Sequence, residues 1–433
     1  MLPLNQRRDI ISLIKHEVLP AMGCTEPVAV ALATARCAAL LGAVPEKINV
    51  ALSANILKNA MGVGIPGTGM IGLPIAIALG ATIGRHELGL EVLRDVTPEA
   101  VERGRRMIAD KVISVGLDES TREKLYIDVV AAHGTDEARV IISGEHTRYV
   151  YLRRNDDVQL DIRGNAADSP EETQPQEEVS PMLTLRTVWD FAMTTPVDDL
   201  RFILETRRLN KGAAEQSMAG CYGHQVGRTL HCRRQRAVMG DSIFSRILSY
   251  TSAACDARMA GACIPVMSNS GSGNQGISAT LPVVIYAEDT FASEEQTIRA
   301  LTLSHLTVIY IKQSLGRLSA LCGCVVAATG SGCGICYLMG GEYPQIVATV
   351  KNMIANISGM ICDGAKPGCA MKVTSGASTA VISAIMAMEG HCVTPAEGII
   401  DEDVDKSIHN LTRIGREAMN ETDRLVLRIM TEK

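Results

Sequence analysis

Three stretches without a single charged side chain, residues 59–84, 259–287 and 318–341, decide what this chain can fold into. Backbone with no charge along it for that length has to leave water, either for a bilayer or for a protein core. Each stretch is broken by Gly, Ser, Asn, Thr or Pro, and none is the unbroken run of large aliphatics that membrane insertion needs. The expectation is therefore no membrane span, and glycine-lined backbone buried around a site. Aromatic residues are 3% of the 433 and glycines number 38, so the core is filled by small and aliphatic side chains, which suits closely packed helices. A chain of this length exceeds one ordinary core, and two lobes are expected.

A seam at residues 164–181 (GNAADSPEETQPQEEVSP) separates two kinds of pattern. It is acidic, rich in Pro and Gln and nearly free of large apolar side chains, as a linker or surface loop would be. Before it, strand-like runs at 48–52, 111–115, 124–131, 138–143 and 149–152 mix with helical periodicity at 5–19, 27–41 and 97–110. After it, almost every segment is helical, notably 184–194, 197–209, 244–259, 294–315, 344–360, 378–389 and 402–430. The fold class expected is α+β, with a mainly α-helical C-terminal lobe and a smaller mixed α/β lobe. By segment, residues 1–42 are N-terminal helices carrying Cys24 and packing on the helical lobe, 43–163 form the mixed lobe, and 182–433 form a helical domain.

A net charge of −6 leaves no basic footprint for nucleic acid. Thirteen cysteines with no secretory apolar segment at the N-terminus point to a cytoplasmic chain with reduced thiols rather than a disulfide framework. These thiols must be buried hydrophobes, metal ligands or reactive groups.

Cys362 and Cys369 bracket Asp-Gly-Ala-Lys-Pro-Gly, a run that cannot continue a helix, so two thiolates on one loop can converge on a metal centre. Cys322 upstream can supply a third ligand. A rival set, Cys322-Gly-Cys324 with Cys333-Gly-Ile-Cys336, has spacing suited to zinc or a four-cysteine cluster, although it lies in apolar sequence without a polar knuckle. Cys24 stands just before a predicted helix start at Thr25-Glu26-Pro27, where free N–H groups and the helix dipole lower a thiol's pKa. Two glycine-rich stretches, 58–69 and 268–276, present unobstructed N–H groups, yet neither matches a nucleotide-binding motif. In the second, the polarity of Ser268, Asn269, Ser270, Ser272 and Asn274 within uncharged sequence suggests contacts to the carboxylate and ammonium of a small substrate. The histidines show no zinc-protease spacing.

Taken together, Gly23-Cys24-Thr25-Glu26-Pro27, Lys58-Asn59, Pro66-Gly67-Thr68-Gly69-Met70, Asp256-Ala257-Arg258-Met259, the 268–276 loop, Gly359-Met360-Ile361-Cys362-Asp363-Gly364 and Cys369-Ala370-Met371-Lys372 resemble the L-cysteine desulfidase family, a bacterial family related to the α subunit of iron–sulfur L-serine dehydratases. The resemblance runs over nearly the whole chain and is weakest in the seam. It implies a [4Fe–4S] cluster held by Cys322, Cys362 and Cys369, with Cys24 as base, in a lyase that removes sulfide from L-cysteine to leave pyruvate and ammonia. Cys324, Cys333 and Cys336 have no counterpart in that pattern. Three other readings stay open at this point: an L-serine deaminase, a pyridoxal-phosphate eliminase, for which Lys211 is the nearest upstream lysine to the loop, and a non-enzymatic thiol or metal sensor. The expected partner is a small amino-acid substrate, and a homodimer is compatible with the pattern.

Overall fold

The structure, a computed structural model, describes residues 2–121, 123–163, 183–234, 236–316 and 319–432. The seam at 164–181 lies outside the described residues.

After α1 (Leu4–Glu17), a two-residue strand β1 (Pro20–Ala21) leads to α2 (Thr25–Leu41). Strand β2 (Lys47–Leu52) follows, then α3 (Ala54–Ala60), α4 (Leu73–Ile83) and α5 (Pro98–Ala109). This helical crossover returns to β3 (Ile113–Leu117), which pairs parallel to β2, as a long connection allows. The remaining strands, β4 (Tyr126–His133), β5 (Asp136–Ser143), β6 (Tyr149–Arg154) and β7 (Asp157–Asp161), add antiparallel, giving the order β3-β2-β4-β5-β6-β7. The period-two alternation of β2 buries Ile48, Val50 and Leu52 on one face. Helices α2 and α4 cover that face, and they approach so closely that a Cβ on Gly80 would overlap the Ala31 carbonyl.

The second lobe is helical: α6 (Leu185–Thr194), α7 (Val197–Leu200), α8 (Leu204–Ala219), α9 (Val226–His231), α10 (Arg236–Met239) and α11 (Ile243–Met259), then strand β8 (Val266–Met267), which pairs antiparallel with β1. Helices α12 (Gly273–Asp289), α13 (Glu294–Leu315), α14 (Gly323–Leu338), α15 (Tyr343–Ile357) and α16 (Cys369–Met388) build the core, and α17 (Val404–Arg413) and α18 (Asn420–Thr431) close the chain. Helix α14 is the central one. Gly330 lies against Ser304 and Gly334 stands where a Cβ would be 2.9 Å from the Ala300 carbonyl, so its small residues let α13 come near.

The α+β fold expected from the sequence is what the structure has, and the charge-free stretches contain α4, α12 and α14, largely buried helices whose flanking loops reach the surface at positions such as Ile71 and Cys263. Among the described residues, one helix, α16, is long and apolar enough to cross a membrane, and half of its apolar window is buried inside the molecule. The N-terminal helices do not act as one unit. Ile10, Leu13 and Ile14 of α1 join the helical core, whereas α2 packs on the sheet, because its Ala/Val/Leu surface is apolar all round and fits between β4, β5 and α4. Three strands escaped the sequence reading: β7, a polar edge, and the very short pair β1 and β8.

Candidate active site

Four helices begin at one cavity of about 700 Å³ between the lobes. Cys24 is the residue preceding α2, Ser272 precedes α12, Cys322 precedes α14, and Cys369 is the first residue of α16. A helix start carries the positive dipole end, which favours thiolates and anionic ligands nearby, although at α16 the N–H groups of Cys369, Ala370 and Met371 are already taken by the carbonyls of Lys366, Pro367 and Gly368.

The thiols reach the cavity by separate local devices. Gly23, at φ +69°, turns the chain into Cys24, and a side chain there would press on Pro66. Leu321 and Ile361 form an isolated antiparallel bridge, flanked by N–H donation from Cys322 to the Met360 carbonyl (3.0 Å) and from Cys362 to the Ala320 carbonyl (2.7 Å). Gly364, at φ +89°, bends the loop past the backbone of Lys58, and the turn over Lys366–Gly368 delivers Cys369 to its helix start. Cys24, Cys322, Cys324, Cys362 and Cys369 all line the cavity, and Cys255 packs beside them.

The rival four-cysteine set is split by the fold. Cys322 and Cys324 face the cavity, while Cys333 and Cys336 are buried in the helical core as small hydrophobes, with Cys336 against Met388. Among the described residues no three His, Cys, Asp or Glu groups stand close enough to hold one metal ion. A multi-iron cluster makes a different demand, since each thiolate binds its own iron and the ligands stand apart around the cluster. Cys322, Cys362 and Cys369 on a shared wall, with Lys58 and Lys372 beside Cys362, fit that demand.

Burial governs the electrostatics. It pushes Cys24 up to about 11, with Arg258 pulling it back and Glu26 and Cys369 raising it further. The lowered pKa expected at a helix start is therefore overturned by desolvation. Cys369 is also raised to about 11, chiefly by burial, and Cys362 is raised against the pull of Lys58 and Lys372. Lys312, on the same wall, is lowered to about 8 by burial, partly offset by Cys362.

The 268–276 loop divides between support and cavity. Ser270, Ser272 and Asn274 line the cavity. Ser268 and Asn269 do not. The Ser268 hydroxyl donates to the Leu19 carbonyl (2.7 Å), holding the β1–β8 corner, and the fully buried Asn269 amide donates to Nδ1 of His305 (3.0 Å). Polar groups in a buried loop need partners, and these two find theirs within the chain. His305 completes a network: its Nε2 meets the Thr280 hydroxyl (3.0 Å), which donates to the Gly276 carbonyl (2.7 Å) and accepts from Asn210 (2.9 Å). The imidazole, lowered to about 3 by burial, is neutral. In the first glycine stretch, Lys58 and Asn59 line the cavity, but Gly64 is pressed against the Ala260–Gly261 backbone, so that loop is packing rather than an anion cradle. Lys211 pairs with Glu288 (2.9 Å) and is absent from the cavity lining.

Among the lining residues given no role here by sequence are Lys58, Arg258, Gln275 and Lys312. Of these only Lys312 stands outside the family-like motifs, and a lone charge in sequence ordinarily signals a solvated face.

A helical lobe and a mixed sheet meeting at a thiol-lined cavity define the class, and the chain belongs to the serine dehydratase alpha chain family, whose model matches residues 87–428. More particularly, it is similar to UPF0597 proteins: that of Bacteroides fragilis is 66% identical over 99% of both chains, that of Bacteroides thetaiotaomicron 65% identical over 99% of both, and that of Oleidesulfovibrio alaskensis 47% identical over 98% of this chain and 97% of its own. The family match takes in Arg258, Cys322, Cys362 and Cys369, while Cys24, Glu26 and Lys58 precede it.

Proposed function

We propose that the chain is an iron–sulfur-dependent carbon–sulfur lyase that eliminates sulfide from L-cysteine, giving pyruvate, ammonia and hydrogen sulfide. The observation that carries this reading is that Cys24, Cys322 and the Cys362–Cys369 loop, three segments far apart in the chain, bring four thiols to one cavity. Cys322, Cys362 and Cys369 would hold a [4Fe–4S] cluster, leaving one iron without a protein ligand. When bound, that cluster supplies a Lewis acid for the departing sulfur.

The chain's own residues do the rest. Lys58, Lys312 and Lys372 place positive charge around the thiolates and lower the cost of their ionisation. Ser270, Ser272 and Asn274 orient the substrate. Cys24 accepts the α-proton as the Cβ–S bond breaks. Loss of that proton and of HS⁻ leaves aminoacrylate, and water converts its imine tautomer to pyruvate and ammonia. A buried thiol with a pKa near 11 is mostly protonated in the free protein, but as a thiolate it is a strong base. The Arg258 guanidinium beside it is the group that stabilises that form.

A second reading rests on the family description, serine dehydratase alpha chain, which favours L-serine with water as leaving group. Protein purified and assayed without oxygen on equimolar L-cysteine and L-serine separates the two. Pyruvate formed with matching sulfide from L-cysteine, at higher kcat/KM than from L-serine, is the expected result; preference for L-serine would replace the first reading by the second.

A further inference from the structure

Several buried polar atoms on one wall of the cavity lack partners of opposite character. Arg258, at the end of α11, is 6% exposed and lines the cavity. Its Nη2 donates to the Gly23 carbonyl (3.0 Å), its Nε has no acceptor, and among the described residues it forms no salt bridge. The Cys24 sulfur lies against it and the Glu26 carboxylate acts on it from beyond salt-bridge distance, so no carboxylate meets its planar fork, which a ligand carboxylate would match. Gly273 fixes its pose, since a Cβ there would overlap the guanidinium.

On the same wall the deficit is reversed. Asn274 Oδ1 and Gln275 Oε1 are buried acceptors with no donor. Glu26, in the first turn of α2, also lines the cavity and forms no salt bridge among the described residues; the Thr25 hydroxyl is its hydrogen-bond partner (3.2 Å). Cys24 stands two positions before Glu26 in the chain and against Arg258 in space.

A ligand carrying a carboxylate alone would leave the acceptors unmet, and an amine alone would leave Arg258 without an anion. A zwitterion meets both needs at once. Resting on the amino-acid lyase reading, we propose that Arg258 grips the carboxylate, and that Glu26, aided by Asn274 and Gln275, grips the ammonium of a free α-amino acid, presenting its α-hydrogen to Cys24. Because both ends of the amino acid are held, the clamp rejects peptides and N-acylated substrates.

The test is calorimetric binding, without oxygen, of two truncated analogues to cluster-loaded protein: 3-mercaptopropionate, which lacks the ammonium, and cysteamine, which lacks the carboxylate. Arg258→Lys should weaken 3-mercaptopropionate about tenfold or more while leaving cysteamine within about twofold, and Glu26→Gln should do the reverse. Arg258→Gln serves as a second variant where the lysine form folds poorly. Equal losses for both analogues in both variants would mark Arg258 and Glu26 as purely structural and overturn the clamp, as would unchanged binding or no binding to the parent protein. Selective losses in a protein that turns over neither cysteine nor serine would refute the lyase reading and leave the clamp standing. Turnover of L-cysteine with no selectivity between variants would refute the clamp alone.

Discussion

Cys322 and Cys362 flank a single antiparallel bridge, Leu321 to Ile361, so two thiols 40 positions apart in the chain are set on one cavity wall by two backbone hydrogen bonds. Cys369 joins them through the turn that starts α16, whereas Cys333 and Cys336 lie in the helical core away from the cavity.

That distinction gives a direct prediction for metal content. Replacing Cys322, Cys362 or Cys369 by Ser should abolish iron and acid-labile sulfide in protein prepared without oxygen. Cys333→Ala should leave both unchanged and cost only about 1 kcal/mol of stability, as expected for loss of a small buried group. Iron loss on Cys333→Ala would contradict the assignment.

Lys58 is 2% exposed and pairs with Asp423 of α18, which ties the C-terminal helix to the cavity wall. Asp423→Asn leaves a buried cation without its partner and should cost about 3–5 kcal/mol in denaturant unfolding. The double variant Lys58→Met with Asp423→Leu should recover most of that loss. An Asp423→Asn protein as stable as the parent would show that the pair contributes nothing.

His305 contributes one part of the acid dependence, alongside Asp256, raised to about 6 by burial, and Asp363, which despite burial is held down to about 2 by Lys366 and Lys372. The folded pKa of His305 is about 3, below the ordinary histidine value, so the buried neutral ring contributes stability above about pH 6.5 that is lost as pH falls toward 3. Denaturant midpoints should therefore drop through the mildly acid range, at up to about 1.4 kcal/mol per pH unit from this residue. In His305→Gln that part of the slope should vanish, at the cost of lower stability at pH 7.5. An unchanged acid slope would show that the ring is not buried and neutral.

Gly276 lies where a Cβ would overlap the Met267 carbonyl, so the start of α12 can cross β8 only without a side chain. Gly276→Ala should destabilise by about 3 kcal/mol and shift Ser272 and Asn274 away from the cavity, raising KM. Gly271→Ala provides the contrast: it has open space around its Cβ position but φ +78°, so its cost is backbone strain of about 1 kcal/mol.

The sheet was legible because half-buried strands alternate: Ile48, Val50 and Leu52 point inward and their neighbours outward. The opposite situation hid α4, α12 and α14. A helix buried on every side has no polar face, so its period disappears into a uniform apolar run. Helix α16 starts nine residues before the periodic segment read from sequence, because Pro367-Gly368 initiates it rather than prolonging the loop. In the site, glycines and turns betrayed the cysteines, whose loop cannot be helical. Arg258 and Glu26 gave no such sign, since a charge destined for a cavity looks in sequence like one destined for solvent. Ser268 and Asn269 misled for the same reason: a polar side chain satisfied by backbone and one awaiting a ligand are written alike.

The most direct measurement compares the parent protein and Cys24→Ser, both cluster-loaded without oxygen, for iron content and for pyruvate and sulfide released from L-cysteine. The account predicts equal iron in both, equimolar products from the parent, and a loss of about a hundredfold or more in kcat for the variant, the range expected when a general base is removed. Parent protein that binds no iron, or a Cys24→Ser variant that turns over as fast as the parent, would contradict it.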